Sequence, residues 1–459
     1  MAFIPVYIFI LFTTIFIDYF AAMWIEDSKG QKRKVFLIAS ILSTCLVLFI
    51  FKYFNFFNAN IAAAARFWKW NYSAESLKLV LPIGLSFHTF QSLSYVVEVY
   101  RGHQKAEKNF GIYALYVMFY PQLVAGPIER PQNLLHQFYE EHRFEYQRVT
   151  NGLKLMAWGM FKKVVIADRL AIFVNQVYDY PREYQGISLI TATIFFAFQI
   201  YCDFSGYSDI AIGTAEVMGF KLMTNFNRPY HAKSVAEFWK RWHISLSTWF
   251  RDYLYVPLGG NRVPGNRWYF NILVTFLVSG LWHGANWTYV FWGALNGFYF
   301  LFSAWTKPVR SKMAEMFGLA RFPKIHKALQ AGITFSLISF AWIFFRAKNI
   351  QDAFYIVSHL GSGVSDFFLG LALHWKNVNQ GQHLLTPFLL GQEKSQFLMA
   401  VLSIFLLEGV HWLQRGSGVR VLLVQKPLWM RWTVYAFLTY GILFFGAFNN
   451  ASQFIYFQF

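Results

Sequence analysis

Two histidines lie in apolar, tryptophan-rich surroundings, where an ionisable side chain is unusual. His283 lies in GLWHGANW (280–287), and His243 follows Trp242 in a second WH pair. A buried imidazole that stays neutral can accept a proton and serve as a general base. A single buried histidine is more often structural, satisfied by one hydrogen bond. For each histidine we keep both the catalytic and the structural interpretation.

Glycines surround His283 and indicate a close contact between helices. Gly280 and Gly284 have the G-x-x-x-G spacing that lets membrane helices approach closely. The sequence holds no G-x-S-x-G, H-E-x-x-H, P-loop or Rossmann motif, which argues against a serine hydrolase, a zinc protease, an ATPase and a nicotinamide enzyme. Cys45 and Cys202 predict neither a disulfide framework nor a cysteine metal site, and we predict no metal site.

Two further stretches place polar or irregular residues in apolar runs. Asp203 and Asp209 in YCDFSGYSDIAIG (201–213) either line a substrate path or form a structural network with backbone amides or a nearby arginine. FYPQLVAGPIER (119–130) interrupts an apolar run with prolines and a glycine. Such backbone is either buried in protein or lining a cavity, or it forms a plain interfacial loop.

The basic, aromatic segment 234–262 is predicted to be an amphipathic helix in the membrane interface. One face would carry Trp239, His243, Leu246, Phe250 and Tyr253, and the other Glu237, Arg241, Thr248, Arg251 and Asp252. Pro257 would end the helix, and Gly259 and Gly260 would allow a tight turn. With Arg251 and Arg262 nearby, this turn either binds a phosphate or is only a turn.

The composition is that of a protein with many membrane spans. Of 459 residues, 56% are hydrophobic, 21% aromatic and only 14% charged, and the net charge is +18. We assign the excess of lysine and arginine to cytoplasmic loops and to anionic lipid or an anionic cofactor, not to nucleic acid. The first apolar run is predicted to be a retained span, not a signal peptide.

Apolar runs recur along the whole chain and predict about eleven spans of ~20 residues. They lie near 3–24, 35–57, 79–99, 110–128, 153–178, 188–218, 268–306, 330–346, 383–413 and 431–449, and the longest would break in two. The basic loop 26–34 should be cytoplasmic, with Met1 outside, and the basic segment 307–327 should also be inside. We treat residues 1–459 as a single domain.

Several motifs together resemble the membrane-bound O-acyltransferase family, and above all its bacterial branch containing the membrane subunit of alginate O-acetyltransferase. The resemblance is strongest over about residues 80–350. It rests on LPIGLSFHTFQSLSYVVEVYRG, YPQLVAGPIER, YCDFSGYSDIAIG, FNRPY, FWKRWHISLSTWFRDYLYVPLGGNR, SGLWHGANWTYVFWG and WIFFRA, with the aromatic end FIYFQF.

This resemblance implies an all-α membrane protein, with a ring of spans around a central funnel and with re-entrant or interfacial helices. It implies that His283 is the catalytic base and that His243 is a second functional histidine. The expected donor is cytosolic acetyl-CoA, used as a substrate, with no permanently bound cofactor. The acetyl group would reach an extracytoplasmic polysaccharide, usually through a separate SGNH-type acetyltransferase. The expected location is the bacterial inner membrane.

We place the donor near the polar end of the 234–262 segment, and this placement is our own inference. The candidate donor-binding residues are Arg251, Asn261, Arg262, Trp282 and Tyr207. Three alternatives stay open. A D-alanyl transferase of teichoic acids is disfavoured by the LGGNR turn, and a proton or solute transporter is disfavoured by the lack of internal repeats. The third alternative is a non-catalytic scaffold. Alginate, cellulose, peptidoglycan and other polysaccharides stay open as acceptors.

Overall fold

The computed structural model describes residues 7–82, 84–374, 386–414, 426–448 and 453–455, with the single residues 5 and 423. The regular elements in these ranges are all helical, which confirms the predicted all-α fold. Among the described residues, five helices are long and apolar enough to cross a membrane: Tyr7–Asp27, Gly30–Phe67, Ile187–Met218, Pro323–Arg346 and Lys394–Leu413. The total of about eleven spans stays a prediction, and the last four residues of the aromatic end lie outside the described residues.

The first half of the described chain contains nine α-helices. They are α1 (Tyr7–Asp27), α2 (Gly30–Leu48), α3 (Phe54–Phe67), α4 (Leu85–Arg101), α5 (Phe110–Val117), α6 (Pro131–Leu134), α7 (Tyr146–Phe161), α8 (Asp168–Tyr178) and α9 (Ile187–Met218). Short π-helical segments at Phe49–Tyr53 and Lys162–Ala167 join α2 to α3 and α7 to α8. Both pairs therefore run as long, nearly continuous helices.

The second half of the described chain contains ten α-helices. They are α10 (Val235–Trp239), α11 (Ile244–Phe250), α12 (Gly265–His283), α13 (Trp287–Trp305), α14 (Lys307–Met316), α15 (Pro323–Arg346), α16 (Ile350–His359), α17 (Val364–His374), α18 (Lys394–Leu413) and α19 (Leu428–Phe445). The long apolar run 268–306 breaks into α12 and α13, as its length predicts. The basic segment 307–327 is not a simple loop, since it contains α14.

Apolar side chains are divided between an aromatic core and an outer surface. Trp242, Trp292 and Trp342 are fully buried, and the last two stack with ring centroids 5.7 Å apart. Large apolar side chains on the outside include Phe9 on α1, which is 70% exposed, and Leu42 on α2, which is 63% exposed. A soluble protein would not leave so many such residues in water, so these outer faces are suited to lipid.

The prediction of one continuous helix from residue 234 to Pro257 is wrong. The segment forms α10, a turn, α11 and a π-helical segment at Arg251–Tyr255. His243 lies at the break, with φ 42° and ψ 56°, so residues before and after it do not share one helical face. Glu237 and Arg241, four residues apart, form an ion pair at 2.5 Å across the end of α10. Gly259 and Gly260 have positive φ, as the tight turn requires.

The irregular stretch 119–130 is packed inside the protein. It contains turns and coil, and Phe119, Gln122, Ala125 and Glu129 are all buried. Two hydrogen bonds attach it to neighbouring segments: the Glu129 carboxylate accepts from the N–H of Met223, and the Tyr116 hydroxyl donates to the carbonyl of Glu129. These contacts favour the buried interpretation over the plain interfacial loop.

The two ends of α4 define two opposite sides of the protein. Leu81 lies just before its start, and Arg101 is its last residue; 17 residues span about 25 Å. Beyond Arg101, the N–H of Ala106 and the ammonium of Lys108 both bind the carboxylate of Glu26, next to the basic loop 26–34. If that loop is cytoplasmic, as its charge predicts, Arg101 faces the cytoplasm and Leu81 the outside.

Helices α7 and α9 touch through two pairs of glycines. A Cβ on Gly206 would lie 2.7 Å from the carbonyl oxygen of Gly159, and a Cβ on Gly213 would lie 2.6 Å from that of Gly152. On each helix the two glycines are two turns apart, so both contacts fall on one seam. Small residues let membrane helices pack backbone to backbone in this way.

We expect Gly206→Ala to destabilise the protein, because the added methyl has no room in this seam. Overpacking of this kind costs about 1–3 kcal/mol. The matched control is Gly332→Ala in α15, where an added Cβ meets nothing within 4 Å. Melting temperatures of the purified proteins in detergent should fall for Gly206→Ala only. Equal melting temperatures for the two variants would contradict the close packing.

Candidate active site

His283 is the last residue of α12, at the turn between the two helices of a hairpin. The helix ends because Gly284 adopts an extended conformation, and Asn286 then caps α13 by accepting a hydrogen bond from the N–H of Thr288. The close approach of helices predicted for this region is found at Gly280 and not at Gly284. Gly280 packs against Gly293 of α13 and the carbonyl of Tyr289, while Gly284 lies beyond the helix.

The ring of His283 is enclosed by aromatic side chains. It is 4% exposed, and its ring meets those of Trp282, Trp292 and Phe345 edge to face, with centroids 4.9, 5.1 and 5.3 Å away. Such walls hold the imidazole in one orientation and keep most water away from it. His283 is therefore placed as a positioned, desolvated imidazole.

A lysine from a distant part of the chain caps the helix that ends at His283. Lys52 donates its ammonium hydrogens to the carbonyls of Trp282 (2.7 Å) and His283 (3.2 Å). Cations at a helix C-terminus satisfy its free carbonyls and interact favourably with the helix dipole. Lys52 was not predicted from the sequence, because it lies in an apolar run near the start of the chain, far from its partners.

His243 lies at the break between α10 and α11 in the left-handed region. A bulky residue rarely adopts positive φ, and such strain persists only where the surroundings enforce it. Here the backbone pairs with another segment: the N–H of Ile244 donates to the carbonyl of Asn225, and the N–H of Asn227 donates to that of Arg241. This pairing replaces helical hydrogen bonds and fixes the direction of His243.

The side chain of Asn225 determines the tautomer of His243. The backbone N–H of Ser245 donates to Asn225 Oδ1 (3.3 Å), which identifies that atom as the amide oxygen, and the amide nitrogen donates to Ser208. His243 Nδ1 lies 3.1 Å from the same oxygen and must carry a hydrogen. In a neutral His243 the basic nitrogen is therefore Nε2.

Trp282 brings the two histidines into one aromatic cluster. Its ring centroid lies 4.9 Å from that of His283 and 6.5 Å from that of His243, and its ring stacks on Phe90 at 5.0 Å. Phe87 contacts both Trp282 and His243. The two WH pairs, which are well separated in the sequence, therefore form a single site beside the first turns of α4.

A cavity of about 730 Å³ adjoins this site on the side of Leu81. Gly284 and Tyr289, which follow His283, form part of its wall. Its polar lining includes Lys52, Asn175, Asp179, Asn286, Arg346 and Lys348, so cations outnumber carboxylates there. A polar molecule entering from this side would arrive beside His283.

Comparison with known proteins places this site in a family. A profile of the membrane-bound O-acyltransferase family matches residues 109–346, which include both histidines. A peptidoglycan O-acetyltransferase of Helicobacter pylori is 33% identical over an alignment that covers 99% of this chain and 88% of the relative. The chain belongs to the membrane-bound O-acyltransferase family. It is therefore an acyltransferase and a membrane protein.

Other relatives match less of the chain. A probable alginate O-acetylase of Pseudomonas aeruginosa is 43% identical, but the match covers 60% of this chain and half of the relative. A teichoic acid D-alanyltransferase of Streptococcus thermophilus is 27% identical over 60% of this chain and 75% of the relative.

The five candidate donor-binding residues of this acyltransferase do not form one cluster. Trp282 lies between the histidines, and Tyr207 is half-buried, stacked on Phe454 with centroids 4.8 Å apart. Arg251 is 60% exposed and paired with Asp252, while Asn261 and Arg262 are exposed in the turn after the π-helical segment. Arg251, Asn261 and Arg262 present polar groups to solvent.

A basic cluster at the far end of α4 was missed by the sequence prediction. The guanidinium groups of Arg101 and Arg130 lie 5.1 and 5.0 Å from the ring centre of Tyr253. Arg101 also donates to the carbonyl of Asp252, and Arg130 lies 3.6 Å from its carboxylate. With Arg251, three arginines surround Asp252. No local spacing reveals this, since the three come from separate segments.

Asp203 and Asp209 belong to a buried network of ion pairs. Lys163 lies 2.6 Å from Asp203 and 2.8 Å from Asp168, and Lys162 lies 2.8 Å from Asp209. Asp203 also accepts a hydrogen bond from the N–H of Ile455. These contacts favour the structural interpretation, with lysines in place of the expected arginine.

We expect Asn225→Ala to slow acyl transfer by roughly 5- to 150-fold, since losing a buried hydrogen bond costs about 1–3 kcal/mol. The loss should appear in kcat, with KM for the donor nearly unchanged, because the tautomer and orientation of His243 are affected. Asn225→Asp keeps an acceptor oxygen and should restore part of the rate. Asn227→Ala, at an exposed neighbouring position, is the control. A folded Asn225→Ala protein with normal kcat would contradict this role.

Proposed function

We propose that this protein takes acetyl groups from cytosolic acetyl-CoA and passes them across the bacterial inner membrane for O-acetylation of an extracytoplasmic polysaccharide. The observation that carries the proposal is the arrangement along α4. A polar cavity adjoins His283 near the start of this helix, and three arginines surround its other end about 25 Å away. Donor and acceptor can thus approach the two histidines from opposite sides.

His283 acts as the general base in this proposal. A hydroxyl is a weak nucleophile at its own pKa, so a positioned base must remove its proton. As His283 takes the proton, the oxygen attacks the thioester carbonyl, a C–O bond forms and the C–S bond breaks. The CoA thiolate leaves and is then protonated. General-base catalysis of this type contributes about 10²- to 10⁴-fold.

The tautomer of His243 limits what this second histidine can do. With Nδ1–H directed at Asn225, Nε2 bears a lone pair. It can therefore accept a hydrogen bond and orient the group that donates it. It can stabilise an oxyanion only after it has been protonated. We propose that His243 is first an acceptor that orients a reacting group.

Arg101, Arg130 and Arg251 form the donor side. These three arginines face two carboxylates, that of Asp252 and that of Glu98, which pairs with Arg101 at 3.1 Å, so positive charge is in excess. CoA carries phosphates that arginine binds through charge-assisted, paired hydrogen bonds. The turn after the π-helical segment extends this surface, and aromatic side chains nearer the histidines would contact the acyl end of the donor. Asn261 and Arg262 belong to this turn. Trp282 and Tyr207 are the aromatic side chains assigned to the acyl end.

The cavity near Leu81 forms the acceptor side. Its cations Lys52, Arg346 and Lys348 suit a polymer or partner that carries carboxylates. Peptidoglycan and alginate-like exopolysaccharides both do so, and relatives named for acetylation of each are similar to this chain. We propose that a separate SGNH-type acetyltransferase completes the transfer from this side.

Replacing His283 with alanine should abolish acetylation of the polymer. We expect a fall of about 100-fold or more in ester-bound acetate, measured after mild alkaline release from purified peptidoglycan and exopolysaccharide. His326→Ala, at a partly exposed position near the start of α15, is the matched control and should leave acetate unchanged. Immunoblots of membrane fractions should show equal amounts of both variants. Normal acetylation by a correctly inserted His283→Ala protein would overturn the proposal.

The identity of the acyl donor distinguishes this function from that of the D-alanyl transferases. Membranes containing the wild-type protein should consume labelled acetyl-CoA and leave label on polymer or partner. They should not transfer labelled D-alanine from its carrier protein. Transfer of D-alanine without transfer of acetyl would show that the donor is the D-alanyl carrier protein and not acetyl-CoA.

We expect Arg130→Gln and Arg101→Gln to raise KM for acetyl-CoA by about 10-fold or more, since a hydrogen bond to a charged group contributes about 1.5–3 kcal/mol. Initial rates at varied donor concentration measure this, and kcat should change little. With S-acetylpantetheine, which lacks the nucleotide phosphates, variants and wild type should have similar KM. Arg310→Gln on the exposed helix α14 is the control. An unchanged KM in both arginine variants would contradict the donor site.

A further inference from the structure

A group of three metal-ligating side chains lies outside the site described so far. His231 comes from the short 3₁₀ turn Pro229–His231, and Glu408 and His411 come from the last turns of α18. Within the described chain, ligand atoms of these three residues all lie within 4.8 Å of one another. From these contacts we propose that His231, Glu408 and His411 bind a divalent transition metal ion of the Zn²⁺ class.

The donor set matches the preferences of such an ion. Two imidazoles and one carboxylate are a recurrent set for Zn²⁺, and a water molecule can fill the remaining position. Glu408 and His411 stand three apart on one helix, so both point to the same side. Bonds of about 2.1 Å in tetrahedral geometry place neighbouring ligand atoms roughly 3.4 Å apart. The separations here need only small side-chain shifts to meet that geometry.

Glu408 presents one oxygen to each imidazole. Oε2 lies 2.8 Å from His231 Nε2, and Oε1 lies 3.2 Å from His411 Nδ1. Among the described residues, His231 Nε2 has no hydrogen-bond partner of normal alignment, although this oxygen is close. Two acceptor atoms at such a distance repel each other unless a cation or a proton lies beside them. A metal ion provides that positive charge for all three side chains at once.

Tyr201 supplies the outer contact that a metal-bound histidine usually makes. Its hydroxyl lies 3.0 Å from His411 Nε2, on the far side of the ring from Glu408. If Nε2–H donates to this oxygen, Nδ1 is left with the lone pair that faces the carboxylate. Metal-bound histidines commonly hold their other nitrogen in this way, which fixes the tautomer and the ring orientation.

The ion would join α18 to the segment that positions His243. His231 ends a stretch that begins at Asn225, whose side chain holds His243, and Arg228 in between donates to the carbonyl of His411 (3.5 Å). A lysine of the same region, Lys162, is already paired with Asp209 at 2.8 Å. Because the ion would join two segments of the chain, we assign it a structural role, independent of the proposed acetyl donor and acceptor.

The direct test is the metal content of the full-length protein, purified in detergent through a tag without histidines. Inductively coupled plasma mass spectrometry should find one zinc ion per chain in the wild type grown with Zn²⁺. His231→Asn and Glu408→Gln should lose it. His136→Ala is the matched control, because His136 also lies near a glutamate (3.6 Å from Glu140) but is exposed and outside this cluster.

A second measurement keeps the test valid if the variants fold poorly. Wild-type protein stripped with a chelator should melt at a higher temperature after Zn²⁺ is returned, and Glu408→Gln should show no such shift. Tyr201→Phe should keep the site but bind Zn²⁺ about 10- to 100-fold more weakly. Wild-type metal content equal to that of Glu408→Gln, with no Zn²⁺-dependent shift, would overturn the proposal and leave a hydrogen-bonded cluster only.

Discussion

The hydrogen bonds of Asn225 are the constraint on which the site depends. The amphipathic pattern of this segment predicts a helix that continues through residue 243. Instead, the side-chain oxygen of Asn225 accepts hydrogen bonds from the N–H and the hydroxyl of Ser245 and from the ring of His243. The backbone carbonyl of Asn225 accepts another from the N–H of Ile244. These bonds replace the helical ones and offset the strain of a left-handed histidine. They also decide which nitrogen of His243 is basic.

Both histidines of the site lie where helices end, and the low polarity of a membrane protein's interior explains why. Inside a membrane protein, a backbone group without a hydrogen-bond partner is costly, so a helix can end only where side chains replace its missing bonds. At His283 this partner is Lys52, and at His243 it is Asn225. Each histidine therefore occupies a position where a polar partner is required in any case. Asn225 also holds the ring of His243, and aromatic side chains enclose the ring of His283.

Local patterns in the sequence predicted the parts of the site that depend on few residues. Two WH pairs in apolar surroundings, the break within the run 268–306 and the turn at Gly259 could all be anticipated from residue type and spacing. The break at His243 could not, since its cause lies in an earlier segment, at an asparagine that carries no motif of its own. The arginines around Asp252 were missed for a similar reason. Their meeting depends on packing between segments that are distant in the sequence, which periodicity does not encode.

The stretch from Asn225 to His231 is held at both ends, and this limits which parts of the molecule can move. At one end Asn225 binds the residues around His243, and at the other His231 contacts Glu408 on α18. The core of the protein beside it is tied by Lys163 and its two aspartates, which join the α7–α8 region to α9. Buried ion pairs add little net stability, but removing one partner is strongly destabilising. The two histidines therefore lie beside a firmly tied centre, with the cavity on one side and the arginines around Asp252 on the other.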